Sequence, residues 1–202
     1  MEAKMIIITG GATRIGAAIA KKLSGPGKEI VIHYNKSKQK AENLKSELSK
    51  NQTKIFLIKG DLSKEKDVNK IVKFAKNIRG KNNNIINIID QRIFKLTPFF
   101  FSYTISKTGL FTLTKTSAMS LAPNIRVNGI APGPTLKNKR QSDKHFKKQC
   151  LATPLKKQVD VNEICNAIEF FIKNSSITGQ VISIDSGQSL NWQTPDIMGG
   201  KE

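Results

Sequence analysis

The apolar run Met5 to Ile8 ends in Thr9-Gly10-Gly11-Ala12-Thr13-Arg14-Ile15-Gly16, and Ala17 to Leu23 then carries a helical pattern. A strand that turns at once into a helix leaves little freedom to the rest of a chain. The backbone must reverse sharply and the helix must come close to the turn, demands that Gly10 and Gly16 meet because neither carries a Cβ. The first N–H groups of such a helix have no partners within it and form a ready site for an anion. Strand, glycine turn and helix in this order are the dinucleotide-binding arrangement, with pyrophosphate at the helix start. The same order also describes an ordinary strand-to-helix turn, so other features have to decide.

One of these is Tyr103-Thr104-Ile105-Ser106-Lys107, with Asp90 thirteen positions before the tyrosine. Residues 101 to 121 read as a helix, with Ser102 as its N-cap and Leu110, Leu113, Ser117 and Leu121 on or near its packed side. On that helix Tyr103 and Lys107, four apart, project from one face. A phenol is a poor acid near neutral pH, but an ammonium about 4 Å away stabilises a phenolate by up to about 4 kcal/mol at an effective dielectric of about 20. Such a pair suits general acid/base work. Taken alone, the spacing equally fits one core-edge tyrosine beside one solvated lysine.

These two motifs occur in order with Asn124-Ile125-Arg126-Val127-Asn128-Gly129-Ile130-Ala131-Pro132-Gly133-Pro134 and the closing Ile177-Thr178-Gly179-Gln180-Val181-Ile182-Ser183-Ile184-Asp185-Ser186-Gly187. Together the four motifs resemble a short-chain dehydrogenase/reductase. Within that family the chain is most similar to pteridine reductases and bacterial dihydromonapterin reductases, which carry arginine at the place of Arg14 and aspartate at the place of Asp90, where most members have a catalytic serine.

The resemblance implies an α/β fold, a Rossmann-like doubly wound parallel sheet in one domain spanning 1–202. It implies hydride transfer between a nicotinamide cofactor and a carbonyl or imine-like bond, with a pterin-like ring or a small carbonyl as substrate. Asp90, Tyr103 and Lys107 take the catalytic places; Arg14, Asp90 and Tyr103 also face the substrate. The cofactor places fall on Gly10, Arg14, Ile15 and Gly16, on His33, Tyr34, Asn35, Lys36 and Ser37, on Asp61 and Leu62, on Tyr103 and Lys107, and on Pro132, Gly133 and Thr135. The basic segment from Leu136 to Lys148 matches the family's mobile substrate lid.

Cofactor choice follows from the second strand, Glu29 to Ile32. An NAD site places a carboxylate about 20 residues beyond the glycine turn to bind the ribose 2′-hydroxyl, whereas a 2′-phosphate needs cations and hydroxyls. This strand ends without an acid, and Lys36, Ser37 and Arg14 supply charge and a hydroxyl. NADPH is therefore expected. Asp61 matches the family's adenine-side aspartate, and Asp61-Leu62-Ser63 before Lys64 to Phe74 also reads as a helix start.

Measured against the family pattern, a segment is expected to be missing. Between Asp61 and Asp90 the family has a helix, a further strand with an asparagine-containing turn, and a long helix bearing a tetrad asparagine. Here the helix from about Lys64 to Ile78 passes through Arg79-Gly80-Lys81-Asn82-Asn83-Asn84, read as a turn, straight into Ile85 to Ile89. A loss of roughly 30 to 50 residues near 79–84 is expected, leaving six strands in the order 3-2-1-5-6-7. Without the wall beside the nicotinamide, the tetrad asparagine and a helix of the usual dimer interface, weak or absent catalysis is predicted. A non-catalytic nucleotide-binding relative and an inactive shortened copy stay open, and a family-like homo-oligomer is weakened.

With 202 residues, no run of 18 apolar residues and no signal-like start, the chain is expected to be one soluble cytoplasmic domain. Its formal charge of +19 raises nucleic acid or anionic membrane as a partner. The basic residues are spread along the chain, however, without a nucleic-acid-binding signature. Cys150 and Cys165 read as core filler, and His33 and His145 lack the spacing of a metal site.

Overall fold

The computed structural model describes residues 5–76, 83–138 and 141–192. The chain forms two compact units, Met1–Lys81 and Asn82–Glu202, each with its own three-stranded parallel sheet. Among the described residues, each unit's sheet consists of three parallel strands that are neighbours in chain order. The shortening expected near residues 79–84 falls mostly on residues 79–82, which lie outside the described residues.

In the first unit, β1 (Met5–Ile8), α1 (Arg14–Leu23), β2 (Glu29–Tyr34), α2 (Lys38–Ser49), β3 (Lys54–Lys59) and α3 (Glu65–Lys76) alternate along the chain. Strand β2 lies between β1 and β3, pairing Ile30 with both Ile6 and Ile55. Five of its six residues are buried, as a central parallel strand covered on both faces requires. Helix α1 buries Ile19, Ala20 and Leu23 and places Lys21 and Lys22 in its last turn, where cations favour the carbonyl end of the helix dipole. Val31, Ile58 and Ile71 form a packed cluster with Met5, Ile7, Phe56 and Phe74 around them.

The second unit contains β4 (Asn83–Ile88), α4 (Phe101–Leu121), β5 (Ile125–Pro132), α5 (Asp143–Leu151), α6 (Val161–Lys173) and β6 (Val181–Ile184), with 3-10 turns at Gln91–Ile93 and Gln188–Leu190. Strand β5 is central, between β4 and β6. It buries Asn128 completely because the amide is satisfied at both ends: Nδ2 donates to the Ile177 carbonyl at 3.0 Å and Oδ1 accepts from the Gln180 N–H at 3.1 Å. Helix α6 buries Ile164, Cys165, Ile168 and Phe171, a stripe at helical spacing in which Cys165 is core filler as expected. Its start is capped by Asp160, which accepts from the Asn162 N–H at 2.9 Å.

Three local expectations are corrected. Asn83 and Asn84 belong to β4, paired with Ile125 and Arg126, because ladder bonds to a neighbouring strand outweigh the turn preference of asparagine. Helix α4 is not capped by Ser102; it starts after Phe100, whose φ of 62° is left-handed, and no side chain caps it. Leu113 is 55% exposed, and the fully packed residues of α4 are Thr114 and Ala118. Within the Leu136–Lys148 segment, α5 starts at Asp143 with Ser142 as its cap.

Candidate active site

In parallel sheets, ligands gather beyond the carboxyl ends of the strands. The first unit places the glycine turn, residues 33–37 and residues 60–62 at the ends of β1, β2 and β3. Gly10 takes a left-handed φ of 63°, and a Cβ on Gly16 would strike the Gly10 carbonyl oxygen and lie 2.9 Å from Gly11 Cα. Both glycines therefore do what their spacing predicts. Arg14, exposed at the start of α1, has a φ of 53°, a backbone state that costs a residue with a Cβ about 1–3 kcal/mol and concentrates at functional turns. Ile15 is half-buried beside it.

His33 and Tyr34 are buried, whereas Asn35 and Lys36 are exposed just past β2. Nδ1 of His33 accepts the Gly10 N–H at 3.1 Å, and Nε2 lies 3.1 Å from the Gly60 carbonyl oxygen. Ser37 stands at the start of α2 and makes no capping bond with its side chain. Asp61 Oδ1 accepts from the Ser63 hydroxyl at 2.7 Å and the Ser63 N–H at 3.1 Å. These two bonds hold its carboxyl below the usual range; Lys64 and a bond from Asn35 add to the effect, and burial opposes it. Asn35 and Asp61, distant in sequence, are thus brought together. Leu62 is half exposed.

The second unit assembles the predicted catalytic trio. Asp90 lies two residues beyond β4, and Tyr103 and Lys107 lie on the first turns of α4. The Tyr103 hydroxyl donates to Asp90 Oδ2 at 2.7 Å, and Asp90 Oδ1 accepts the Arg92 N–H at 2.9 Å, capping the 3-10 turn. Lys107 Nζ donates to the Ile88 carbonyl at 2.9 Å and lies 5.7 Å from the centre of the Tyr103 ring. All three side chains are thereby tied to the end of one strand. Sequence spacing puts an ammonium beside the phenol oxygen, but tertiary structure gives that oxygen to Asp90 and sets the ammonium over the ring, within the range of a cation–aromatic contact. Burial pushes the Lys107 pKa below its usual 10.5, and the Asp90 charge pulls it back up.

At the end of β5, Pro132 and, three residues on, Thr135 are buried, and Gly133 packs so tightly that a Cβ would sit 2.6 Å from Asp185 Cα. The Thr135 hydroxyl donates to the Gly133 carbonyl at 3.1 Å, stabilising the turn that sequence assigns to the cofactor. Asp185 secures the next turn, accepting N–H bonds from Gly187 and Ser189 at 3.0 and 2.7 Å.

Several polar groups escape a sequence reading. Gln91 Oε1, Ser186 Oγ and Gln188 Oε1 are buried without a hydrogen-bond partner, and the 3-10 turns that carry Gln91 and Gln188 lie against each other. Buried polar atoms left unpaired are places for a polar ligand or water. No motif marks Gln91, although it follows Asp90 directly. The Arg92 guanidinium donates to Thr97 Oγ1 at 2.8 Å and lies 5.0 Å from the centre of the Phe100 ring. Two surface depressions, of about 540 and 570 Å³, run along α5 and α4, and neither is lined by Asp90, Tyr103 or Lys107. The described residues hold no His, Cys, Asp or Glu cluster suited to a metal, and no helix among them is long and apolar enough to cross a membrane.

Comparison with known proteins points the same way. Residues 4–81 match a family model described as short chain dehydrogenase, and residues 73–189 match one described as enoyl-(acyl carrier protein) reductase. The chain is 34% identical to FolM alternative dihydrofolate reductase 1 of Brucella canis, solved in complex with NADP, with a TM-score of 0.90 over 97% of this chain and 98% of that one. It is 25% identical to the 3-oxoacyl-(acyl-carrier-protein) reductase FabG of Staphylococcus epidermidis over 244 aligned positions, which take in 93% of this chain and 99% of the relative. Dihydromonapterin reductase of Enterobacter sp. is 29% identical over 109 residues, 54% of this chain and 45% of the relative. Two family models in sequence order, a Tyr103–Asp90 pair at the end of β4 and a glycine turn that excludes side chains converge on one statement: the chain belongs to the short-chain dehydrogenase/reductase family.

Proposed function

We propose that this chain is an NADPH-dependent reductase of a C=N or C=O bond in a pterin-like substrate. The observation that carries it is the 2.7 Å bond between the Tyr103 hydroxyl and the Asp90 carboxylate. A serine in that place offers one hydroxyl, whereas a carboxylate accepts from an amino-substituted ring as well as from tyrosine. The NADP complex of FolM and the likeness to a dihydromonapterin reductase support the same assignment.

The first unit's residues suit NADPH. The glycine turn is open at Gly10 and packed against the chain itself at Gly11 and Gly16, β2 ends without a carboxylate, and Arg14, Lys36 and the Ser37 hydroxyl stand on the adjoining turns. Gly10 to Gly16 would receive the pyrophosphate, and Lys36, Ser37 and Arg14 the 2′-phosphate. Bound NADPH supplies the hydride. Tyr103 holds the proton to be transferred at its Oη. Asp90 orients that hydroxyl and, on accepting a ring N–H from substrate, frees it to turn toward the reacting atom. Lys107, anchored on Ile88, steadies the tyrosine ring and offers an ammonium to the nicotinamide ribose.

One observation favours a second, non-catalytic reading. The FabG alignment runs over 244 positions while this chain has 202 residues, which supports an internal shortening that removes part of the family's active-site wall. NADPH titration followed by NADPH oxidation with a dihydropteridine separates the two. Turnover that falls at least 100-fold in Tyr103→Phe, with NADPH affinity kept, supports the reductase. Binding without turnover in the native chain supports the non-catalytic relative, and neither binding nor turnover defeats both.

A further inference from the structure

We infer that His33 is the positioning residue of the glycine turn and not a ligand of the cofactor's 2′-phosphate; this rests on the proposed binding of NADPH to the first unit. The residue is 3% exposed, and both faces of its role are internal. An amide N–H can only donate, so the 3.1 Å contact from Gly10 requires an unprotonated Nδ1. The ring proton then sits on Nε2, where it is donated to the Gly60 carbonyl, also at 3.1 Å, an oxygen that can only accept. The His33 backbone carbonyl adds a third tie, accepting from the Gly11 N–H at 3.1 Å.

Two successive amides of the turn are thus held by one residue, which is in turn held by the segment following β3. Tyr34 closes the same junction, its carbonyl accepting the Gly60 N–H at 3.1 Å. An imidazole with both nitrogens engaged and almost no exposed surface has no donor left for a phosphate. Selection between NADPH and NADH therefore falls to Arg14, Lys36 and Ser37, while His33 sets the turn that both cofactors use.

Two substitutions divide the ring's functions. In His33→Asn the amide oxygen replaces Nδ1 and retains the acceptor for Gly10. In His33→Gln the amide nitrogen replaces Nε2 and retains the donor to Gly60 but loses that acceptor. His33→Asn is expected to bind NADPH within about threefold of the native chain. His33→Gln should bind NADPH and NADH each about tenfold more weakly, the effect of one lost hydrogen bond, with their ratio unchanged. A loss confined to NADPH would make His33 a phosphate ligand and overturn the inference, as would His33→Gln binding both normally.

Two readouts need no cofactor. Ring nitrogen NMR of the ligand-free chain should show the neutral Nε2–H tautomer, and the Gly10 amide should exchange faster in His33→Gln than in the native chain or His33→Asn. An Nδ1–H tautomer or unchanged exchange refutes the positioning role. If the native chain binds neither nucleotide, the proposed function fails while these two measurements still decide His33.

Discussion

The bond between Tyr103 and Asp90 has a measurable strength. A hydroxyl donating to a carboxylate at 2.7 Å is a charge-assisted hydrogen bond, worth about 1.5–3 kcal/mol when shielded from water. Tyr103 is 43% exposed, so solvent competes and lowers the value to about 1–2 kcal/mol. Asp90→Ala loses this bond and also the cap on the Arg92 N–H, itself worth about 1 kcal/mol, for a total near 2–3 kcal/mol. Tyr103→Phe removes the bond while Asp90 keeps its cap on the Arg92 N–H. A double-mutant cycle cancels the capping contribution and isolates the pair, provided neither substitution makes new contacts. Urea unfolding followed by the fluorescence of Trp192, the chain's one tryptophan and a residue of the second unit, gives the four stabilities. A coupling of about 1–2 kcal/mol is expected. A value below about 0.3 kcal/mol would refute the assignment of Asp90 as the partner that orients Tyr103.

Gly16→Ala places a methyl group against the Gly10 carbonyl; a stability loss of about 1–3 kcal/mol in the first unit is expected in thermal melts, together with weakened nucleotide binding, and an unchanged melt contradicts the close packing. Lys36→Glu should lower NADPH affinity while sparing NADH, because a carboxylate repels a 2′-phosphate; parallel losses for both cofactors in a fluorescence titration would remove Lys36 from phosphate recognition. Lys107 gives a pH signature. Its folded pKa is lowered, so the cost of burying the ammonium is fully present below that value and is relieved as pH rises toward 10.5, where the unfolded chain still holds the proton. Native stability relative to Lys107→Met should therefore increase with pH just below 10.5, and a flat or falling difference in urea midpoints would contradict burial as the cause.

Much of the molecule follows from local sequence. Apolar periodicity places the strands and helices, and the strand-to-helix turn demands glycine at Gly10 for its left-handed backbone and at Gly16 because no space is left for a Cβ. Helical spacing alone puts Tyr103 and Lys107 on one face, and the end of β2 excludes a carboxylate without reference to any neighbour. What spacing cannot encode is which partner a polar atom meets across the sheet. The family resemblance gives His33 a cofactor place, and parallel pairing carries its ring between the β1 turn and Gly60, where both nitrogens are engaged. Asn83 and Asn84 carry turn preferences that a neighbouring strand overrides. Tyr103 bonds to Asp90, and Lys107 to the carbonyl of Ile88, because α4 returns across the end of β4. Local propensity acts over a few residues, whereas hydrogen-bond partners are settled by register and helix placement, which only the packed chain decides.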